Sequence, residues 1–313
     1  MRAATIRDQE IVIEQHPDPE PLGEEVLVRV RAAGLNGGDM MQKRGLYPAP
    51  PGYPPDIPGM ELAGEVEALG PHASRFEVGA RVMAIVGGGA QAELAVVQER
   101  LLMPVPQALD WPAAGGLPEV FTTAHDAVFL QAGLRPGEHL LVHGGAGGVG
   151  TAAIQLARAT GARVTATVRT EELRDQVAAL GAMAIPCEGF AERGPFDVIL
   201  ELVGAPNMPE NLMAVATGGR ISVIGVSAGA KTELNLLALM GKRARIYGST
   251  LRARSLEEKA QGARLVEHEV LPLLDRGEVS VPVADTFPLE EAAAAYDRFA
   301  GGGKLGKVVL SIP

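Results

Sequence analysis

The stretch HLLVHGGAGGVGTAAIQLARATGARVTATVRT, residues 139 to 170, constrains the fold more than any other part of the chain. An apolar run, HLLVHG, enters a segment in which five of the seven residues from Gly144 to Gly150 are glycine. VGTAAIQLARA then follows with helical periodicity, and RVTATV is a second strand-like run. Strand, turn, helix and strand form a βαβ unit, which requires parallel pairing through a crossover helix. Gly145, Gly147 and Gly150 satisfy G-x-G-x-x-G in that setting. On this reading Gly145 permits the tight turn, and Gly147 lets backbone approach a pyrophosphate. Gly150 lets the helix pack closely on the strand. The amides that open the helix face the phosphates, aided by the helix dipole. The expected ligand is a dinucleotide.

The rest of the chain divides by texture. From Met1 to Pro118, short strand-like runs such as EEVLVRVRAAGLN, LAGEVEALG and GARVMAIVG are broken by turn formers, as in YPAPPGYPPDIPG. This predicts an antiparallel β domain. After Pro118, strand-like and helix-like segments alternate, and runs such as VILELV and ISVIGV are almost continuously apolar. Such runs suit strands covered on both faces, so this part predicts a doubly wound parallel sheet. From Ser255 a long amphipathic helix leads to a strand, a helix and a closing strand, expected to return to the first domain.

Composition removes several alternatives. A formal net charge of −10 argues against a nucleic-acid partner, which needs a basic face. Cys187 is the single cysteine, so no intramolecular disulfide and no cysteine-rich metal site is available. The six histidines show no HxH pairing, and the one HxxxH spacing, His139 to His143, falls in the strand-like run HLLVH. No apolar run approaches the ~20 residues that span a bilayer, and the expectation is a cytoplasmic protein without a resident metal.

The end of the second strand bears on which dinucleotide binds. An NAD site usually places Asp or Glu there to hold the ribose hydroxyls. Here Val168 is followed by Arg169 and Thr170. A guanidinium pairs with a 2′-phosphate in fork geometry, which favours NADPH. The alternative is a solvated Arg169, with Glu171 or Glu172 on an NAD ribose.

With these residues in view, LPEVFTTAHDAVFLQAGLRPGEHLLVHGGAGGVGTAAIQLARATGA resembles the zinc-independent quinone oxidoreductases of the medium-chain dehydrogenase/reductase superfamily. AAGLNGGDMMQKRGLYPAPPG, IPGMELAGEVEALG, GSTLRARSLEEK and GKLGKVVLSIP extend the resemblance over essentially the whole chain, with a flavour closest to the p53-inducible quinone oxidoreductase subgroup. It implies an α/β protein in which a GroES-like catalytic domain, residues 1–118 and 256–313, wraps around a Rossmann domain, residues 119–255. A homodimer through the Rossmann domains is implied too, with ARIYGST as the pairing edge. Asn36 and Met60 stand where zinc-dependent relatives have a cysteine and a histidine ligand.

The resemblance also implies site residues. Asn36, Tyr47 and Thr123 line the nicotinamide and substrate pocket, and Gly147, Gly148, Val149 and Gly150 hold the pyrophosphate. Arg169 meets the adenosine 2′-phosphate. Val203, Gly204 and Gly225 follow strands at the carboxyl edge of the sheet. Ser249, Thr250 and Leu251 approach the nicotinamide, and Lys307 reaches the phosphates or the cleft mouth. One departure weighs against NADPH: after MAIPCEGFAERGPFD an Asn-Tyr pair that often supports the 2′-phosphate is missing, with Arg193 nearby. The implied activity is metal-free hydride transfer from NADPH to a quinone or enone. Two other readings stand beside it: an enoyl-thioester reductase with Tyr47 as proton donor, and a low-turnover NADPH-binding structural or RNA-associating protein. Tyr47 is also readable as a shape-forming aromatic in a proline-rich loop, Asn36 as a turn cap and Thr123 as a helix cap, and Cys187 is read as incidental.

Overall fold

A computed structural model describes residues 1–313. The N-terminal part is built on a seven-stranded sheet whose central strand is Glu25–Gly34. That strand alternates as its sequence does: Val26, Val28, Val30 and Ala32 are buried. Arg29 and Arg31 turn outward and pair with Glu67 and Glu65 on the antiparallel Glu61–Leu69 strand. The closing strand Lys307–Ser311 joins the same sheet beside Glu25–Gly34, and Val283–Pro288 pairs with it in turn. Residues 283–313 thus return to the first domain, as expected.

The middle of the chain forms a six-stranded, wholly parallel sheet. Its order is Met183–Ile185, Arg163–Thr167, His139–His143, Phe196–Glu201, Val215–Val223 and Arg245–Gly248. In chain order this is 3-2-1-4-5-6, the doubly wound arrangement whose ligand crevice opens where the winding reverses, between the first and fourth strands. The near-continuous apolar runs now have a physical cause. Leu140, Val142, Val198 and Leu200 point into one core, while Leu141 and Ile199 point into another on the opposite face.

The helical segment after Ser255 packs against both units. Ala263, Val266, Val270, Leu271 and Leu274 pack into the same core as the Rossmann strands. Of this segment only Ala260 joins the β-domain core. The apolar face of Leu256–Leu265 and its continuation thus packs in a core shared by the two units, which also holds Ala63, Met83, Met103 and Val105 of the β domain.

Candidate active site

The glycine turn has the predicted strand–turn–helix form, with one reassignment. The left-handed residue is Gly144, with φ 73°; Gly145 is needed because a side chain would meet Ala166 Cβ at 2.8 Å. At Gly150 a side chain would collide with the Gly144 carbonyl, and at Gly148 it would meet Val120 at 2.7 Å. Gly147 differs: a Cβ there meets only the Gly144 carbonyl oxygen at 3.5 Å. It caps the Gly148–Ala159 helix. The N–H groups of Gly148, Val149 and Gly150 have no backbone acceptor, whereas Thr151 N–H already bonds the Gly147 carbonyl. Three free amides beside an open glycine fit a diphosphate.

A buried relay ties both lips of this crevice together. Glu201, at the end of its strand and fully buried, accepts from Val203 N–H at 2.7 Å and Gly204 N–H at 2.8 Å. Its second oxygen accepts from Asn211 Nδ2 at 2.7 Å. Asn211 Oδ1 lies 2.7 Å from His143 Nε2, and His143 Nδ1 lies 3.1 Å from Thr167 Oγ1, which accepts from Gly144 N–H. Burial lowers the His143 pKa, so the ring is neutral. The assignment that satisfies every group has Thr167 donating to Nδ1 and Nε2–H donating to Asn211. Gly204, at φ 108°, and Gly225 are closed in by the neighbouring loop: a side chain on either would strike backbone. Val203 and Gly204 thus reach the crevice with their amides already engaged by Glu201.

Arg169 is exposed at the end of its strand, with its guanidinium over Gly302 of the loop before the last strand. It has no carboxylate partner, whereas Glu171 points to Arg174 at 3.4 Å. From the helix before this loop, Arg298 donates to the Gly302 carbonyl at 2.7 Å. Lys304 lies over the Phe299 ring at 4.2 Å, and burial together with Lys307 and Arg298 lowers its pKa to about 8. Gly306 N–H bonds the Ala146 carbonyl at 2.8 Å, so this loop is stitched to the glycine turn.

On the β-domain side, Asn36 and Thr123 are buried and Tyr47 is half-buried. Asn36 Nδ2 donates to Glu61 at 2.9 Å, and Asn36 Oδ1 accepts from Lys307 Nζ at 2.7 Å. Lys307 also donates to the Leu35 carbonyl at 2.7 Å and meets Glu61 Oε1 at 2.6 Å. The expectation that Lys307 reaches the phosphates is therefore corrected. Its stem passes Gly148, but all three ammonium protons are spent inside the β domain. The Thr123 hydroxyl is buried with no partner besides the Glu119 carboxyl. Ser249 Oγ is held between Asp126 at 3.3 Å and Arg254 at 2.5 Å, Thr250 is exposed, and Leu251 faces an internal cavity with Thr122 and Lys259.

Several residues at this site escaped the sequence reading. Arg252 is buried, its guanidinium 4.8 Å from the Tyr47 ring. It donates to the carbonyls of Tyr47 and Gly87, each at 2.8 Å, and to Gln42 at 2.6 Å. It ties the segment after the last Rossmann strand to the β domain. Asp39 accepts from Asn36 N–H at 2.8 Å and Gly59 N–H at 3.1 Å. Glu119, on the helix that carries Thr123, donates its own N–H to Glu61 Oε2 at 2.8 Å. The only sequence signal for these groups was charge inside otherwise apolar or small-residue stretches.

Comparisons with known proteins place this geometry in a class. Residues 23–107 match the alcohol dehydrogenase GroES-like domain, and residues 148–267 match the zinc-binding dehydrogenase family. A mouse quinone oxidoreductase is 33% identical over 93% of this chain and 90% of its own. One from Pseudomonas aeruginosa is 33% identical over 93% and 92%. The solved quinone oxidoreductase of Pseudomonas syringae superposes with a TM-score of 0.89 at 28% identity, covering 99% of this chain and 100% of its own. A mycobacterial protein solved with NADPH gives 0.90 at 25%, covering 99% of each. The fold and site define an NAD(P)-dependent oxidoreductase. More narrowly, the chain belongs to the quinone oxidoreductases of the medium-chain dehydrogenase/reductase superfamily.

Proposed function

We propose that the protein is an NADPH-dependent quinone or enone reductase that works without a metal ion. The observation that carries the coenzyme half is the unpaired Arg169 guanidinium, over Gly302 and at the end of the strand that follows the glycine turn. A carboxylate in that place would repel a 2′-phosphate; here a cation awaits one. Gly147 and the amides of Gly148, Val149 and Gly150 would hold the diphosphate, and Thr123 would border the nicotinamide. When bound, the coenzyme supplies hydride at the nicotinamide C4.

The metal-free half rests on Asn36. Its side chain is engaged on both sides, by Lys307 and by Glu61, so an ammonium already supplies the cation among these groups. Met60, at the second position where relatives carry a ligand, packs its thioether against Gly38. An acceptor oxygen would then be polarised by hydrogen bonds alone. We also infer a homodimer through the Rossmann sheet. Its last strand, Arg245–Gly248, is an open edge, and Leu236, Leu237 and Met240 nearby are 66–76% exposed.

The test is NADPH oxidation with 1,2-naphthoquinone, benzoquinone and a crotonyl thioester. Quinone turnover exceeding thioester turnover is expected. Coenzyme fluorescence changes without turnover on any acceptor would show a binding protein instead.

A further inference from the structure

Three carboxyl groups, those of Asp39, Glu61 and Glu119, converge on one buried ammonium, that of Lys307. Their hydrogen bonding is unequal. Glu61 is fully buried, and its oxygens take Lys307, Asn36 and the Glu119 N–H. Asp39 is fully buried, and each of its oxygens accepts a backbone N–H. The oxygens of both are occupied by donors. The Glu119 carboxyl takes no backbone N–H and no ammonium; the polar side chain against it is the Thr123 hydroxyl, which has no other partner, and Tyr47 feels its charge. Of the three it is the one that keeps partial exposure.

We propose that Glu119 is the general acid of the reaction, a neutral carboxylic acid that donates its proton to the acceptor as reduction proceeds. The proposal rests on the reductase reading above. The step balances simply. The acceptor takes up hydride, two electrons and one hydrogen, and negative charge develops on its oxygen. The Glu119 O–H bond breaks and an O–H bond forms on that oxygen, giving the hydroquinone or enol. The carboxylate left behind regains its proton from solvent.

The surroundings agree. Burial, then the charge of Glu61, raise the Glu119 pKa to about 8, with Asp39 pushing the same way and Lys307 opposing. The remaining charged and titratable groups near it are Tyr47 and Arg252. A donor works best when its pKa lies near the operating pH. Tyr47 is the poorer acid here, because burial and Glu119 itself raise its pKa above the usual phenol value. Its ring, stacked on Arg252, shapes the wall.

The test begins without coenzyme. Infrared difference spectra between wild type and Glu119→Gln should show a protonated-carboxyl band at pH 7 that titrates with a midpoint of about 8. With quinone and NADPH, wild-type kcat/KM should fall above that same midpoint. Glu119→Gln should lose about 10²- to 10⁴-fold and show a flat profile, while NADPH binding by fluorescence stays within a few-fold, about 3, of wild type. Tyr47→Phe should keep the wild-type profile. A Glu119 ionised at pH 7, or a Glu119→Gln enzyme with the wild-type rate and pH profile, overturns the proposal. If wild type reduces no acceptor while the infrared band is present, the reductase reading fails and the carboxyl assignment does not.

Discussion

The Lys307 ammonium lies 2.6 Å from Glu61 Oε1, with Lys307 3% and Glu61 0% exposed. A closing strand from the end of the chain thereby neutralises a carboxylate from the middle of the β domain. Lys307→Met should cost about 3–5 kcal/mol, because it strands a buried charge. The loss should shrink as pH falls. Asp39 and Glu119, with pKa values raised to about 6 and about 8, take up protons and relieve the repulsion. Denaturant titrations at pH 5.5 and pH 8.5 check this; equal losses at both would show that charge is not the cause.

Glu119 has its own signature in stability. Its pKa is raised on folding, so the folded state holds a proton that the unfolded state releases from about pH 4.5 upward. That contribution is full below about pH 4.5 and fades through about pH 8. The melting temperature of Glu119→Gln relative to wild type should therefore climb between those limits, as read by calorimetry. A constant difference would mean that the carboxyl ionises freely.

Arg169→Ala should weaken NADPH by about 1–3 kcal/mol and leave NADH nearly unchanged, since only NADPH carries the phosphate. Fluorescence titration with both coenzymes decides it, and equal losses would retire the phosphate clamp.

Glu201→Ala should behave oppositely. Removing the shared acceptor frees the N–H groups of Val203 and Gly204, one of them buried, and costs about 1–3 kcal/mol of stability. Both coenzymes should weaken together, because the relay positions a lip of the crevice rather than contacting the 2′ end. A selective loss of NADPH would contradict that role.

Leu237→Lys places a charge on a side chain that is 76% exposed in the single chain. If the Rossmann edge pairs with a second copy, sedimentation should report a shift from dimer to monomer, with coenzyme binding retained. A dimer that survives this change and a second at Met240 would place the interface elsewhere.

The legible part of this protein was local. The βαβ unit, the glycines at Gly145, Gly147 and Gly150, and Arg169 after Val168 were set by periodicity and by steric rules acting over a few residues. The two-faced apolar strands followed from the same source, because a buried parallel strand must be apolar on each side. Tertiary structure decided where the charges meet. Glu61, Glu119 and Lys307 are separated by 58 and 188 positions in the chain, yet they share one buried site. No spacing rule connects a strand, a helix and the final strand at such distances. Lys307 was therefore assigned on resemblance to the phosphates or the cleft mouth, and its ammonium is spent on Leu35, Asn36 and Glu61. The helix after Ser255 illustrates the same point: its amphipathic face specified that it would be buried, not that its partners would come from both units. Proximity between distant segments is a property of the packed whole, and local sequence carries the pattern but not the partner.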